Sequence, residues 1–264
     1  MIAIIGGGKM GEALLAGLLG TGYTPDDVLV TEPFRERAEE LRARYGVGIV
    51  PVAEAAKRAR TLVLAVKPQD MVGLVDGLSP DLEPDRLIVS IAAGIPTSLL
   101  EKHLAGDVPV VRAMPNTPAL VGEGMTAITG GRHTTEEQLD HAEALLSSVG
   151  DVVRVPERHM DTVTALSGSG PAYFYFIVET MIEAGVAMGM ARAAAEKLVN
   201  RTIRGAATML NDSGEHPVVL REAVTSPGGT TAAAVRELER HGVRTAFTDA
   251  IEAARDRSRE LSEG

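Results

Sequence analysis

The stretch IAIIGGGKMGEALLAGLL, residues 2–19, decides how the N-terminal half is read. Four apolar residues, Ile2 to Ile5, lead into Gly6, Gly8 and Gly11 at G-x-G-x-x-G spacing, and apolar residues at helical spacing follow. A strand directly before and a helix directly after is the setting in which this triplet binds a dinucleotide. Gly6 permits the tight turn, Gly8 lets the backbone approach a pyrophosphate, and Gly11 lets helix and strand pack closely. The helix start adds free N–H groups and a partial positive charge. The loop assigned to phosphate binding is therefore Gly6, Gly7, Gly8, Lys9, Met10 and Gly11.

Outward from that unit the same alternation continues. Val28 to Thr31, Thr61 to Val66, Leu87 to Ile91 and Val108 to Arg112 are further strand candidates, separated by helix-length segments such as Arg35 to Tyr45. Such spacing predicts βαβ units and a parallel sheet. Thr126 to Thr129 and Val152 to Val155 bracket TTEEQLDHAEALLSSVG (134–150), where Thr134 with Glu137 predicts a capping box and Gly150 a stop. From Asp161 onward the pattern is helical: Pro171 to Met190, Arg192 to Asn211, Pro217 to Val224, Thr230 to His241 and Val243 to Ser262. In LSGSGPAY (166–173), Ser169 and Pro171 predict a helix start. Gly185 and Gly189, four apart, are either an accident or a place where another helix approaches. The expected fold is an α/β Rossmann-type N-terminal domain with a mostly parallel sheet, residues 1–158, and an all-α C-terminal domain, residues 159–264.

Composition narrows the partners. With 26 Lys+Arg against 36 Asp+Glu and a formal net charge of -10, the chain disfavours nucleic acid and anionic membranes, and a small molecule is the expected partner. No cysteine means no disulfide, no thiolate metal site and no cysteine nucleophile, which fits a reducing compartment. The start MIAIIGGG has no basic segment and its apolar run stops at Gly6, too short for a secretory or membrane-spanning segment, so a cytoplasmic location is expected. The six histidines are scattered, none in H-E-x-x-H spacing, and SGSGP lacks a nucleophile-elbow setting. No metal site is expected, and the chemistry should need little acid or base help from side chains.

Further site candidates sit where expected strands end, the edge that lines the ligand crevice of an open α/β sheet. In VTEPFRER (30–37), Glu32 suits an adenosine ribose hydroxyl and hence NADH, whereas Arg35 and Arg37 suit the 2′-phosphate of NADPH; both readings stand, and a solvated charge cluster at a helix start explains Arg37 at least as well. LVLAVKPQ (62–69) and IVSIAAGI (88–95) offer Ala65, Val66, Lys67, Pro68, Ala92 and Ala93 to the dinucleotide, although Lys67 also reads as a surface lysine. VVRAMPNTP (110–118) offers Asn116 to the nicotinamide carboxamide, or is a proline-stiffened loop. VTSPGGTTAAAV (224–235) is a glycine-rich turn feeding a helix. The amides of Gly228, Gly229, Thr230 and Thr231 either form an anion site the size of a carboxylate or belong to a plain capped turn.

With AVKPQ, RAMPNTP, SGSGPAY and SPGGTT following the glycine fingerprint in order, the chain resembles the pyrroline-5-carboxylate reductase family over essentially its full length. SPGGTT after SGSGPAY carries more of that resemblance than the fingerprint, which many dehydrogenases share. The resemblance implies NADH- or NADPH-dependent reduction of a cyclic imine to L-proline, the final step of proline biosynthesis. It implies a C-terminal dimerisation domain, a homodimer or ring of dimers, and an active site at the dimer interface. It implies that Ser226, Gly228, Gly229, Thr230 and Thr231 bind the substrate carboxylate and that Thr231 places its hydroxyl near the ring nitrogen. A β-hydroxyacid dehydrogenase shares the layout but is expected to carry a catalytic lysine on its long helix, and Pro171 to Met190 has none. A dinucleotide-sensing protein without catalysis leaves the SPGGTT turn unexplained.

Overall fold

The computed structural model describes residues 1–263. Its strands are β1 (Ile2–Ile5), β2 (Val28–Thr31), β3 (Gly48–Ile49), β4 (Thr61–Leu64), β5 (Leu87–Ser90), β6 (Val110–Met114), β7 (Gly124–Gly130) and β8 (Gly150–Arg154). They form one sheet in the order 3-2-1-4-5-6-7-8. All pairings are parallel except β6 with β7. The helices of this half are α1 (Lys9–Gly20), α2 (Arg35–Tyr45), α3 (Val52–Arg58), α4 (Pro68–Leu78), α5 (Thr97–His103) and α6 (Glu136–Leu146). After them come α7 (Met160–Val163), α8 (Gly170–Ala187), α9 (Arg192–Ser213), α10 (Pro217–Ala223), α11 (Thr230–Arg240) and α12 (Val243–Glu263).

Both faces of the central strands are covered, which is why β1, β2, β4 and β5 are apolar runs with little polar alternation and every residue buried. Ile2, Ile4, Val30 and Val63 pack with Leu14 and Leu18 of α1 and Leu145 of α6. Ala3, Ile5, Leu62 and Ile88 pack on the other face with Met71 of α4 and Leu100 of α5. Each fully buried aliphatic side chain of this kind contributes about 1.5–3 kcal/mol.

Three local expectations are corrected. The capping box on α6 is formed by Thr135 with Gln138, one residue beyond Thr134 and Glu137, because the Thr134 hydroxyl donates to the Val110 carbonyl oxygen at 2.7 Å. A helix does start in LSGSGPAY, α8 at Gly170 with Pro171 in its first turn, but Ser169 does not precede it with the extended backbone of an N-cap. The chain is already helical from Met160, passes through a π-turn at Thr164–Gly168, and reaches Ser169 in αR geometry, whereas an N-cap needs extended backbone. The strand expected over Val108 to Arg112 begins instead at Val110, after Pro109, which has no N–H for the ladder, and extends to Met114.

The chain divides into two compact units: Met1–Ser169 with the stretch from Ala254 on, and Gly170–Ala253. The C-terminal stretch is tied to the first unit by Ser258, whose hydroxyl donates to Asp161 at 2.8 Å. In the second unit Gly185 and Gly189 have separate tasks. A Cβ at Gly185 would lie 3.3 Å from the Ala195 Cβ, so the glycine sets the approach of α8 to α9, while Gly189 takes a φ of +93° just after α8. Only Gly170, Ile182 and Ala195 are buried among the described residues of this unit.

Candidate active site

The phosphate loop is built as its glycines require. Gly6 has φ +111°, and a Cβ there would lie 2.5 Å from the Ala65 carbonyl oxygen. A Cβ at Gly11 would fall on the Gly6 carbonyl oxygen and come within 3.3 Å of the Ile4 side chain, so strand and helix meet without a side chain between them. At Gly8 a Cβ would touch nothing within 4 Å: this backbone faces open space. Gly8 caps α1 without a side-chain hydrogen bond, and the first helical bond runs from the Glu12 amide to the Gly8 carbonyl at 2.8 Å. The amides of Lys9, Met10 and Gly11 therefore have no acceptor among the described residues, the arrangement that receives a pyrophosphate. A dinucleotide fits these residues.

The remaining cofactor candidates line the same carboxyl edge. Glu32 follows β2, and its two oxygens accept from the amides of Gly7 and Phe34, each at 2.9 Å. Arg37 turns beneath the loop: its Nε donates to the Gly7 carbonyl at 2.8 Å, and its other nitrogens pair with Glu12 and with Glu40. Glu12 also accepts from Arg44 and Tyr45. The Arg37 hydrogen bond is the main cause that holds the Glu12 carboxyl below its ordinary pKa, against the opposing effect of burial. Arg35 is exposed and pairs with Glu39 at 2.8 Å. Ala65 and Val66 leave β4, Lys67 caps α4 with its side chain exposed and in no ion pair among the described residues, and Pro68 opens the first turn. Ala92 is buried and Ala93 exposed beyond β5. After β6 the Asn116 carboxamide donates to the Ser167 hydroxyl at 3.1 Å and accepts from the Met125 amide at 2.9 Å, which leaves one N–H for a ligand.

Sequence reasoning passed over Arg112. It is 3% exposed on β6, pairs with Glu157 at 2.5 Å, and leaves its Nε and Nη2 without a partner. Glu157 also accepts from the Thr97 hydroxyl at the start of α5 at 3.3 Å. A lone cation inside the apolar run VVRAM was the available signal.

The glycine-rich turn of the second unit is open, with one change from expectation. The Gly229 amide is not free; it donates to the Ser226 carbonyl at 3.0 Å and closes the turn, with Gly228 at φ +68°. Gly229 caps α11 with no side-chain hydrogen bond, and the first helical bond is Ala233 to Gly229 at 3.1 Å. The amides of Thr230, Thr231 and Ala232 consequently have no acceptor among the described residues. Ala232 thus takes the place Gly229 was expected to fill. Thr231 is half-buried, and Ser226 and Thr230 are exposed.

The same unit exposes much apolar surface. Phe174, Tyr175 and Phe176 on α8 are 59%, 66% and 70% exposed, with Met188, Leu198 and Met209 also bare. A unit that buries three residues and presents this much aromatic and aliphatic surface does not close a core by itself. Among the described residues no group of three His, Cys, Asp or Glu is placed to hold a metal ion, and no helix is long and apolar enough to cross a membrane.

A doubly wound sheet with an open phosphate loop at its first βα turn, followed by a helical unit, defines a dinucleotide-dependent oxidoreductase of the Rossmann type. Residues 1–94 match the model described as NADP oxidoreductase coenzyme F420-dependent, and residues 157–261 match pyrroline-5-carboxylate reductase dimerisation. The chain is 46% identical to the pyrroline-5-carboxylate reductase of Corynebacterium melassecola, over 98% of each chain. It is 44% identical to that of Mycobacterium tuberculosis H37Rv, over 98% of this chain and 96% of the relative. The solved pyrroline-5-carboxylate reductase of Coxiella burnetii superposes with a TM-score of 0.95 at 38% identity, covering 99% of this chain and 98% of that one. The Plasmodium falciparum pyrroline carboxylate reductase, solved with NADP bound, gives 0.87 at 29% identity, covering 99% and 97%. The chain belongs to the pyrroline-5-carboxylate reductase family.

Proposed function

We propose that this chain reduces 1-pyrroline-5-carboxylate to L-proline with NADH or NADPH, as the final step of proline biosynthesis in the cytoplasm. The observation that carries the reading is the trio of unpartnered amides at Thr230, Thr231 and Ala232, set behind a turn with a half-buried threonine. A carboxylate accepts from such amides with charge-assisted hydrogen bonds. A reduced dinucleotide held by the Gly6–Gly11 loop would supply the hydride that turns the ring's C=N bond into an amine. The substrate can arrive already protonated at nitrogen, so no side-chain acid is needed; positioning and preorganised donors carry the rate. Ser226, Gly228 and Gly229 shape the turn, the amides from Thr230 on grip the acid group, and the Thr231 hydroxyl orients the ring nitrogen. The loop Gly6–Gly11, with Glu32, Ala65–Pro68, Ala92, Ala93 and Asn116, holds the dinucleotide.

The exposed faces of α8 and α9 support a homodimer in which each helical unit completes its core with a partner, with a ring of dimers as the larger assembly. In that arrangement the dinucleotide sits on one subunit and the carboxylate-binding turn is contributed by the other. The test is a spectrophotometric assay of NADH and NADPH oxidation with the five-membered and six-membered cyclic imine carboxylates. Oxidation dependent on the five-membered imine is expected; dinucleotide binding without imine-dependent oxidation would sink the reading.

A further inference from the structure

We propose that Glu32 selects the cofactor and that this chain binds NADH in preference to NADPH. The proposal rests on the dinucleotide reading of the Gly6–Gly11 loop. The two dinucleotides differ only at the 2′ position of the adenosine ribose, which hangs from the pyrophosphate that loop cradles, beside the end of β2. Glu32 stands at that end, and its Oε2 accepts the amide of Gly7 from inside the loop. Its other oxygen accepts the Phe34 amide, so the carboxylate is pinned at both ends and cannot swing away from what binds beside it. Each oxygen keeps a second lone pair, which a ribose hydroxyl can fill as a donor. A 2′-phosphate at pH 7 has little or no proton to donate and carries nearly two negative charges against the fixed carboxylate.

Accommodating that phosphate would require cations, and the two arginines in the first turn of α2 are already paired. Arg37 donates its Nε to the Gly7 carbonyl and its remaining nitrogens to Glu12 and Glu40, and its side chain is only 25% exposed. Its pKa is raised, chiefly by the hydrogen bond to Glu12 and then by that to Glu40. Arg35 is exposed but paired with Glu39, and Glu36 adds another negative charge to the first turn of α2. The charges at this end of β2 and the first turns of α2 are thus Glu32, Glu36 and Glu39 against Arg35, already paired with Glu39, and Arg37, already tied to Glu12 and Glu40.

The test is calorimetric binding of NADH and NADPH to the full-length protein without imine, together with ADP-ribose and 2′-phospho-ADP-ribose. NADH is expected to bind at least about tenfold tighter than NADPH, with the same order for the two ribose fragments. Glu32→Gln, which keeps an acceptor for one amide while removing the charge, should reduce that ratio to about threefold or less, chiefly by improving NADPH. Equal or tighter binding of NADPH by the wild-type protein overturns the proposal, as does an unchanged ratio in a folded Glu32→Gln. Because the fragment comparison uses the wild-type protein, it decides the matter even if the variant does not fold. Failure of both dinucleotides to bind would instead overturn the phosphate-loop reading beneath it.

Discussion

Removing Glu157 should destabilise the protein more than removing its buried partner Arg112. Arg112 is 3% exposed and its side chain 4%, whereas the Glu157 side chain is 35% exposed. In Glu157→Ala the guanidinium stays buried with its one ion pair gone and its Nε and Nη2 already unpartnered. An uncompensated buried charge of this kind costs about 3–5 kcal/mol. In Arg112→Met an apolar chain of similar length fills the site and Glu157 turns toward water, at a cost of about 0–1 kcal/mol. The double variant should resemble Arg112→Met alone, a strongly non-additive pair. Urea unfolding at one fixed protein concentration measures all three, read from the midpoints with the slope unchanged. If Arg112→Met lowers the midpoint as far as Glu157→Ala, the burial asymmetry is not what sets the energetics and the reasoning is wrong.

Thr231→Ala should lower kcat/KM for the imine roughly five- to 150-fold, the equivalent of about 1–3 kcal/mol, with dinucleotide affinity kept; unchanged turnover would remove Thr231 from the mechanism. Gly229→Val puts a branched side chain against the Ser226 hydroxyl, where even a Cβ does not fit. Calorimetry should then show loss of proline-analogue binding, and retained affinity would contradict the role given to the turn. The Glu12 carboxyl is held low, chiefly by Arg37, so its stabilising contribution is full above its ordinary pKa of about 4.3 and is lost as pH falls through the lower native value. Wild type should therefore exceed Glu12→Gln in stability at pH 7, and the gap should close below about pH 4; a gap of constant size down to pH 3 would refute that assignment.

Much of this was legible in the residues because it is local. Ile2 to Ile5 and Val28 to Thr31 coincide with β1 and β2, since each is a short apolar run bounded by turn-forming residues. The helix over Arg35 to Tyr45 ends at Gly46 in the left-handed region, as a glycine after such a helix announces. What escaped depends on distant contacts. TTEEQ satisfies the capping pattern in two registers, and the choice is made by the Val110 carbonyl, which takes the Thr134 hydroxyl. Arg35 and Arg37 look alike in sequence; only the fold turns Arg37 under the loop toward Glu12. The π-turn before Ser169 has no composition of its own to read. In the SPGGTT turn Thr230 and Thr231 keep the free amides expected of them but Gly229 does not, because its 3.0 Å bond to the Ser226 carbonyl follows from the turn's geometry, with Gly228 in the left-handed region.

A crystal structure of the protein with a reduced dinucleotide and a saturated ring carboxylate bears most directly on how the substrate is held. The ring's carboxylate oxygens should lie about 3 Å from the amide nitrogens of Thr230, Thr231 and Ala232. A carboxylate seated elsewhere, with those three amides hydrogen-bonded to water or to protein, would contradict the account.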